Sequence, residues 1–493
     1  MAAYLAGVLL AGAWFARRQK TTADYFVGGR QVPAWAIAAS IVATETSTIT
    51  FVSVPGVAYA RGGNFTFLQL VLGYLAGRIV ISLLFIPMYF KGELLTVYQL
   101  LKERFGGAVK GLAATLFVAM RTIGDGIRLL LTAIVLGAVV TSFAPAASTD
   151  VVVIWSVIGL GVVMILFTLW GGIEAVIWIE VVQLGIYLVG AISAGIVLMR
   201  LVPGGLSGAL ETARHLGKLK VFDFSFATST LMGHGSYTTF WAGLVGGCFL
   251  TMSTHGTDQY LVQRYLCTDR PRRAAAALLS SGLVVLLQFI GFLTIGVLLC
   301  AYYRPFERPD YLTGSPAAPF TRGDAVFPDF ITHHLPPGLA GLVIAAILAA
   351  ALSSSLSAIA STMVNDLYRP LNEGKDDRHY LTVSKRLTIA AGIAQVAVGL
   401  LLRTSPSSAL DKALAVASLV NGPVLGVFLL GAFTPRAGRT AALCGMTAGI
   451  AVALAVWLSG KVAWQWYAAI GSLTTLAVGS LAAALLREKE VAA

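Results

Sequence analysis

Charged residues stand in stretches of this chain that are otherwise apolar. Glu45, Asp125, Glu180 and Asp258 are such residues, with Glu174 nearer an edge, and so are Arg78, Arg121 and Arg128. In "SIVATETSTITFVSVPG", Ser40 to Gly56, Glu45 is surrounded by the hydroxyls of Thr44, Thr46, Ser47, Thr48 and Thr50. Carboxylate, hydroxyl and carbonyl oxygens are the ligands a hard cation takes, and the same groups hydrogen-bond a polar solute. An ionised side chain facing lipid costs about 3 kcal/mol or more, so each must face the bundle interior or a water-filled cavity. In "RTIGDGIRLL", Arg121 and Asp125 are four residues apart and Asp125 and Arg128 three apart, so they share a helix face and can pair locally. Four acids at depth against three arginines leave one negative charge, enough to host one Na⁺ or one proton. Glu45 either lines a central cavity or forms a buried ion pair with an arginine.

The elements that must carry these groups follow from composition. The 493 residues are 57% hydrophobic and 12% charged, with a mean hydropathy of +0.80, which is the composition of a polytopic helical membrane protein. Apolar runs of membrane-crossing length fall at 4–16, 33–60, 65–90, 108–141, 151–170, 174–200, 236–257, 273–303, 338–368, 382–402, 411–433, 437–459 and 463–486, about 13 spans. The run at 4–16 is read as a span and not a signal peptide, because Arg17, Arg18 and Lys20 follow it instead of preceding it. With the N-terminus outside, the inner side collects those three together with Arg30, Lys91, Lys102, Arg104, Lys110, Arg264, Arg270, Arg272, Arg273 and most basic residues beyond 368. The positive-inside rule then gives N-out, C-in. This topology accounts for the net charge of +12, and no basic soluble domain exists to bind nucleic acid. Cys248, Cys267, Cys300 and Cys444 show neither metal spacing nor a disulfide framework and read as small core residues. The Pro- and Gly-rich segment 304–337 is an outer cap or gate, and its His333 and His334 are surface residues.

Two spans carry polar interruptions. One is the stretch around Glu45, where Thr and Ser compete for backbone hydrogen bonds and Pro55 and Gly56 follow. The other is "LTMSTHGTDQYLVQRYL", broken at Ser253 to Asp258. Unwound backbone at membrane depth is tolerated only where protein or a cavity surrounds it, and paired interrupted helices point to a transporter site at the midplane. The breaks fall in spans two and seven, which suits two inverted five-helix repeats. The chain is therefore one transmembrane domain: an extra N-terminal helix and inner loop (1–32), a first repeat (33–200), an outer loop (201–235), a second repeat (236–433) and two C-terminal helices (434–493).

"DYFVGGRQVPAWAIAASIVATETST", "YQLLKERFG", "GGIEAVIWIEVVQ", "GTDQYLVQR" and "SSSLSAIASTMVNDLYRPL" resemble the sodium:solute symporter family of sugar, proline, iodide and sialic acid carriers. The resemblance implies an all-α leucine-transporter-type fold, alternating access, and a multi-pass place in the cell membrane. It implies a main Na⁺ site formed by the carbonyls of Ala43 and Thr46 together with two hydroxyls, whose positions are here Ala350 and Ala351. A methyl group cannot ligate Na⁺. A second cation site of some members matches Ser353, Ser354 and Glu180, and Glu180 is also a candidate proton carrier. The implied solute residues lie between the two breaks: Glu45, Ser47, Thr50, Gln69, Arg128, Asp258, Gln259 and Asn421. Ser47, Thr50, Gln69 and Arg128 match positions that hold an acidic sugar in one branch. Glu45 and Asp258 add negative charge, so either they favour hydroxyl-rich or cationic solutes or they pair with Arg78 and Arg128. Ser357 and Ser361 read as helix-packing residues.

The function expected is cation-coupled symport of a small polar solute such as a sugar, with Na⁺ favoured over H⁺ as coupling ion and no other cofactor. A proton-coupled or uncoupled carrier is the alternative that Ala350 and Ala351 raise. An enzyme would need a catalytic cluster such as H-E-x-x-H, absent here; a channel would show a filter or charge ring. The expected partners are the solute, the coupling cation and the bilayer.

Overall fold

The apolar runs fold as helices because a segment in lipid must satisfy its own backbone hydrogen bonds, and among the described residues there is no strand. The computed structural model describes residues 21–46, 48–92, 94–143, 148–226, 239–303, 323, 326–352, 355–403 and 409–486. The span read at 4–16 lies outside the described residues, as do Ser47, Ser353, Ser354 and most of 304–325.

In chain order the helices are α1 (Thr22–Val27), α2 (Ala34–Glu45), α3 (Thr48–Tyr59), α4 (Leu68–Val80, continued to Tyr89 through a π turn), α5 (Gln99–Phe105), α6 (Gly107–Phe143) and α7 (Thr149–Leu201). There follow α8 (Gly205–His215), α9 (Gly247–Thr251, flanked by π turns at Ala242–Gly246 and Met252–Gly256), α10 (Gln259–Tyr265) and α11 (Pro271–Tyr303). The rest are α12 (Val326–His333), α13 (Pro337–Leu352), α14 (Leu356–Thr362), α15 (Asp377–Leu402), α16 (Ala409–Phe433), α17 (Arg439–Ser459) and α18 (Tyr467–Leu486). Gly172, at φ 55°, divides α7 into two spans. Seven described helices are long and apolar enough to cross a membrane, and shorter apolar helices include Ala34–Glu45. The 37-residue α6 carries Lys110, Arg121, Asp125 and Arg128.

Both expected breaks are present. α2 ends at Glu45, and Thr46 leaves the helix at φ −81°, ψ 68°. Hydroxyls reinforce this end: Val42 O accepts from Thr46 N at 2.9 Å and also from Thr46 Oγ1 at 2.7 Å, and Thr50 Oγ1 donates to Glu45 O at 3.0 Å. Pro55 lies inside α3, beyond the break. The second break sits at Thr257 and Asp258, and the span continues through α10 to Tyr265 instead of ending at 257. A third interruption was not expected. The run 338–368 reads as one span, yet Ser355, at φ −80° and ψ 8°, leaves the helical conformation immediately before α14 begins at Leu356.

Glycines set α4 against α9. A Cβ on Gly73 would lie 2.2 Å from Gly243 O and 2.8 Å from Gly247 Cα, so small residues four apart on both helices let the backbones touch, as in membrane helix pairs generally. At one end of the bundle Arg30 donates to Leu94 O at 3.1 Å, Arg104 to Thr434 O at 3.0 Å and Lys110 to Asn365 O at 3.2 Å. These are residues the charge pattern assigned to one side. At the other end, residues 218–226 form a strap. The buried Lys218 ammonium donates to Ala58 O, Tyr59 O, Ala60 O and Gly63 O at 2.7–3.3 Å, a cation on the C-terminal carbonyls of α3 where the helix dipole favours one. Also at this end α12 turns back into the bundle and sets Phe327 against Phe51 of α3, ring centroids 5.3 Å apart. His333 and His334 are exposed. Cys267 and Cys300 are buried, whereas Cys248 is half-buried and Cys444 exposed, so the last is not a core residue.

Candidate functional site

The four acids at membrane depth each meet an arginine. Glu45 Oε1, at the end of α2, bonds Arg78 of α4 and the His255 ring of the π turn after α9. Asp258 accepts from Tyr260 N at 2.9 Å, which makes it the N-cap of α10, the position where a short acidic side chain satisfies an orphan N–H. Its other oxygen accepts from Arg121 Nε at 3.0 Å and from Arg121 Nη2. Asp125 lies 3.7 Å from Arg128 and accepts from Ser355 N at 3.0 Å and Ser355 Oγ at 2.5 Å. Glu180 meets Arg264, with Nη2 at 2.5 Å and Nε at 3.3 Å, and accepts from Ser40 Oγ.

Three readings change with this geometry. Arg121 pairs across the bundle with Asp258 and not locally with Asp125, because α10 brings that carboxylate to it. Arg264 is not a surface charge of the inner loop: it is 1% exposed, since α10 carries it two turns past the break into the bundle. It is the fourth arginine, so the surplus negative charge disappears. Glu180, expected as a cation ligand or proton carrier, has a fixed guanidinium beside it already. Tyr260 joins these pairs: Arg121 and Arg264 each lie over its ring with the guanidinium carbon 4.6 Å from the centroid, and its hydroxyl bonds Arg128. Cation–π contacts of this kind are worth about 2 kcal/mol when desolvated.

The remaining candidates are dispersed. Ala43 and Thr46 stand at the first break, both buried, and Thr46 Oγ1 lies 2.8 Å from Gln288 Oε1. Thr50 faces back to Glu45 O. Gln69 is fully buried, its Oε1 accepting from Asp223 N at 2.8 Å and its Nε2 donating to Thr66 O at 3.1 Å, which places its amide under the strap. Gln259 is held by Val97 N at 2.8 Å and Leu95 O at 3.0 Å, at the opposite end from Gln69, so the structure does not bring these two amides together. Asn421 is buried on α16. Ser47, Ser353 and Ser354 lie outside the described residues, and Ala350 and Ala351 belong to α13. Ser357 accepts from Gln263 Nε2 at 3.2 Å and Ser361 is fully buried, in keeping with packing. Sequence reasoning missed His255 as Glu45's partner, Ser355 as Asp125's, and Arg264. Among the described residues no group of three His, Cys, Asp or Glu side chains could hold a metal ion.

The sequence profile of the sodium:solute symporter family matches residues 25–449. The sodium/sialic acid symporter NanT of Aliivibrio fischeri (strain ATCC 700601 / ES114) is 31% identical, over 98% of this chain and 92% of its own. SiaT of Proteus mirabilis (strain HI4320), also a sodium/sialic acid symporter, is 32% identical over 98% and 93%. A solved Na⁺-coupled sialic acid symporter, in a substrate-bound outward-open state, superposes with a TM-score of 0.85 at 30% identity, covering 99% of this chain and 98% of that one. With broken helices at the expected places and this similarity along almost its whole length, the chain belongs to the sodium:solute symporter family: a multi-pass membrane transporter of leucine-transporter-type fold.

Proposed function

We propose that the protein is a Na⁺-driven symporter of an acidic sugar of the sialic acid class. The observation that carries this reading is the pairing of Glu45, Asp125, Glu180 and Asp258 with Arg78, Arg128, Arg264 and Arg121. Unpaired, Glu45 and Asp258 would repel a carboxylate; neutralised, they leave the region between the breaks open to an anion. Arg128, 18% exposed, is the guanidinium for the solute carboxylate, a pairing whose fork geometry gives both strength and direction. Ser47, Thr50 and Gln69 serve the sugar hydroxyls, Gln69 after the strap at Asp223 releases it. Na⁺ binds at the first break on the carbonyls of Ala43 and Thr46, with Ser353 and Ser354 as hydroxyl donors near the third interruption. Glu180 stays with Arg264 as a fixed pair.

Similarity to two sialic acid symporters over nearly the whole chain supports the substrate class. Calorimetric titration of the purified protein with a sialic acid, in NaCl and in choline chloride of equal ionic strength, tests it. The expected result is binding in NaCl that weakens in choline chloride, and in Arg128→Gln weakens about tenfold or more, the cost of losing a charge-assisted hydrogen bond. Equal binding of an uncharged, N-acetylated amino sugar by wild type would contradict the assignment of Arg128.

A further inference from the structure

Glu45 closes α2 at its C-terminus, the end where the helix dipole opposes a carboxylate, and no basic residue stands in the last turn of that helix. What opposes the charge comes from elsewhere in the chain. Arg78, fully buried on α4, reaches Glu45 Oε1, and the same oxygen meets His255 Nε2. Arg78 Nη2 and His255 Nε2 are 3.4 Å apart, and His255 Nδ1 is 3.0 Å from Thr254 Oγ1. One carboxylate therefore ties the first break, through Arg78, to α4 and, through His255, to the π turn that leads into the second break. The approach of α4 is fixed one residue earlier, where a Cβ on Gly77 would lie 2.7 Å from Cys248 O. Arg78 packs directly on Gly282 of α11: a Cβ there would lie 2.8 Å from Arg78 Cδ, 2.8 Å from Leu75 Cδ2 and 3.0 Å from Arg78 Nη1.

We propose that Arg78 is a positioning residue for the coupling ion: by holding Glu45 it sets the backbone at Ala43 and Thr46, and through His255 it makes the two breaks respond together. Glu45 is the residue before Thr46 and two after Ala43, so a rotation of α2's last turn that releases Glu45 also turns both carbonyls. The inference rests on the reading that Na⁺ binds at those carbonyls.

The test follows the melting temperature of the purified full chain in detergent against NaCl, with choline chloride keeping ionic strength constant. The variants are the doubly neutral Glu45→Gln/Arg78→Gln, which leaves no buried unpaired charge, and Gly282→Ala, which displaces Arg78 without touching its charge. Gly291→Ala, where an added Cβ meets nothing within 4 Å, is the control. The half-saturating Na⁺ concentration is expected to rise about tenfold in the first two, within the range of coupling between sites, and to stay at the wild-type value in the control. Wild-type half-saturation in either of the first two, with only the melting temperature in choline chloride lowered, would show a purely structural pair and overturn the proposal. If wild type itself gains no stability from Na⁺, the ion-site reading falls and this inference with it, an outcome distinct from the first because it appears before any variant is compared.

Discussion

Glu180 and Arg264 are both 1% exposed and 2.5 Å apart, and at such a site one charge cannot stand without the other. Arg264→Gln alone should cost about 3–5 kcal/mol, the usual penalty for leaving a buried charge unpaired. Adding Glu180→Gln should recover most of it; melting temperatures of the single and double variants measure this, and a double variant no better than the single would remove the ion pair as the cause. The acids themselves were legible in the sequence because a charge in an apolar run stands out. Their partners were not. An ion pair across the bundle is a tertiary contact, and Arg264 was grouped with Arg270, Arg272 and Arg273 because nothing local indicates that α10 resumes after Asp258. Arg121 and Arg128 both lay within helical reach of Asp125, and only the packing of α10 decides which one is drawn away.

At the scale of elements, the contact of α4 with α9 depends on backbones meeting at glycine. Gly73→Leu places its Cβ where Gly243 O stands and should destabilise by about 3 kcal/mol or prevent folding, the upper range for overpacking, whereas Gly185→Leu, with open space around it, should melt as wild type does. The strap 218–226 is a second element-scale device. Lys220 Nζ at 2.8 Å and Ser225 N–H at 3.1 Å hold the Asp223 carboxylate below its ordinary pKa, so its contribution is complete at neutral pH and is lost only as pH falls through that lowered value. Lys218→Met removes the cation from the α3 carbonyls and should speed amide hydrogen exchange across 218–226 at neutral pH; unchanged protection would mean that Lys218 does not hold the strap. The first two breaks were legible because runs of Thr and Ser offer backbone carbonyls a competing donor. The third was not, because "AAILAAALSSSLS" reads as a helix of small residues, and the pull of Asp125 on Ser355 comes from α6.

At the scale of the whole molecule the bundle is a low-dielectric body in which Glu45, Asp125, Glu180 and Asp258 are each matched by an arginine. Composition and hydropathy were enough to show that the described apolar runs are helical, because lipid permits few alternatives; that the run at 236–257 continues past its break, and that the run at 338–368 is interrupted, was not legible. Solute preference was open in the sequence because it turns on net charge between the breaks, which in the function proposed above follows from the pairing of Glu45 with Arg78 and of Asp258 with Arg121. An uncompensated pair of carboxylates would suit a neutral or cationic solute; a neutralised one suits an anion accompanied by Na⁺. Reconstituted proteoliposomes loaded without Na⁺ and given radiolabelled sialic acid outside test this most directly. The account predicts accumulation above the external concentration with an inward Na⁺ gradient, collapse when a Na⁺ ionophore dissipates it, and no accumulation with choline in place of Na⁺. Uptake that ignores the Na⁺ gradient, or accumulation of neutral sugars in preference to the acidic one, would contradict it.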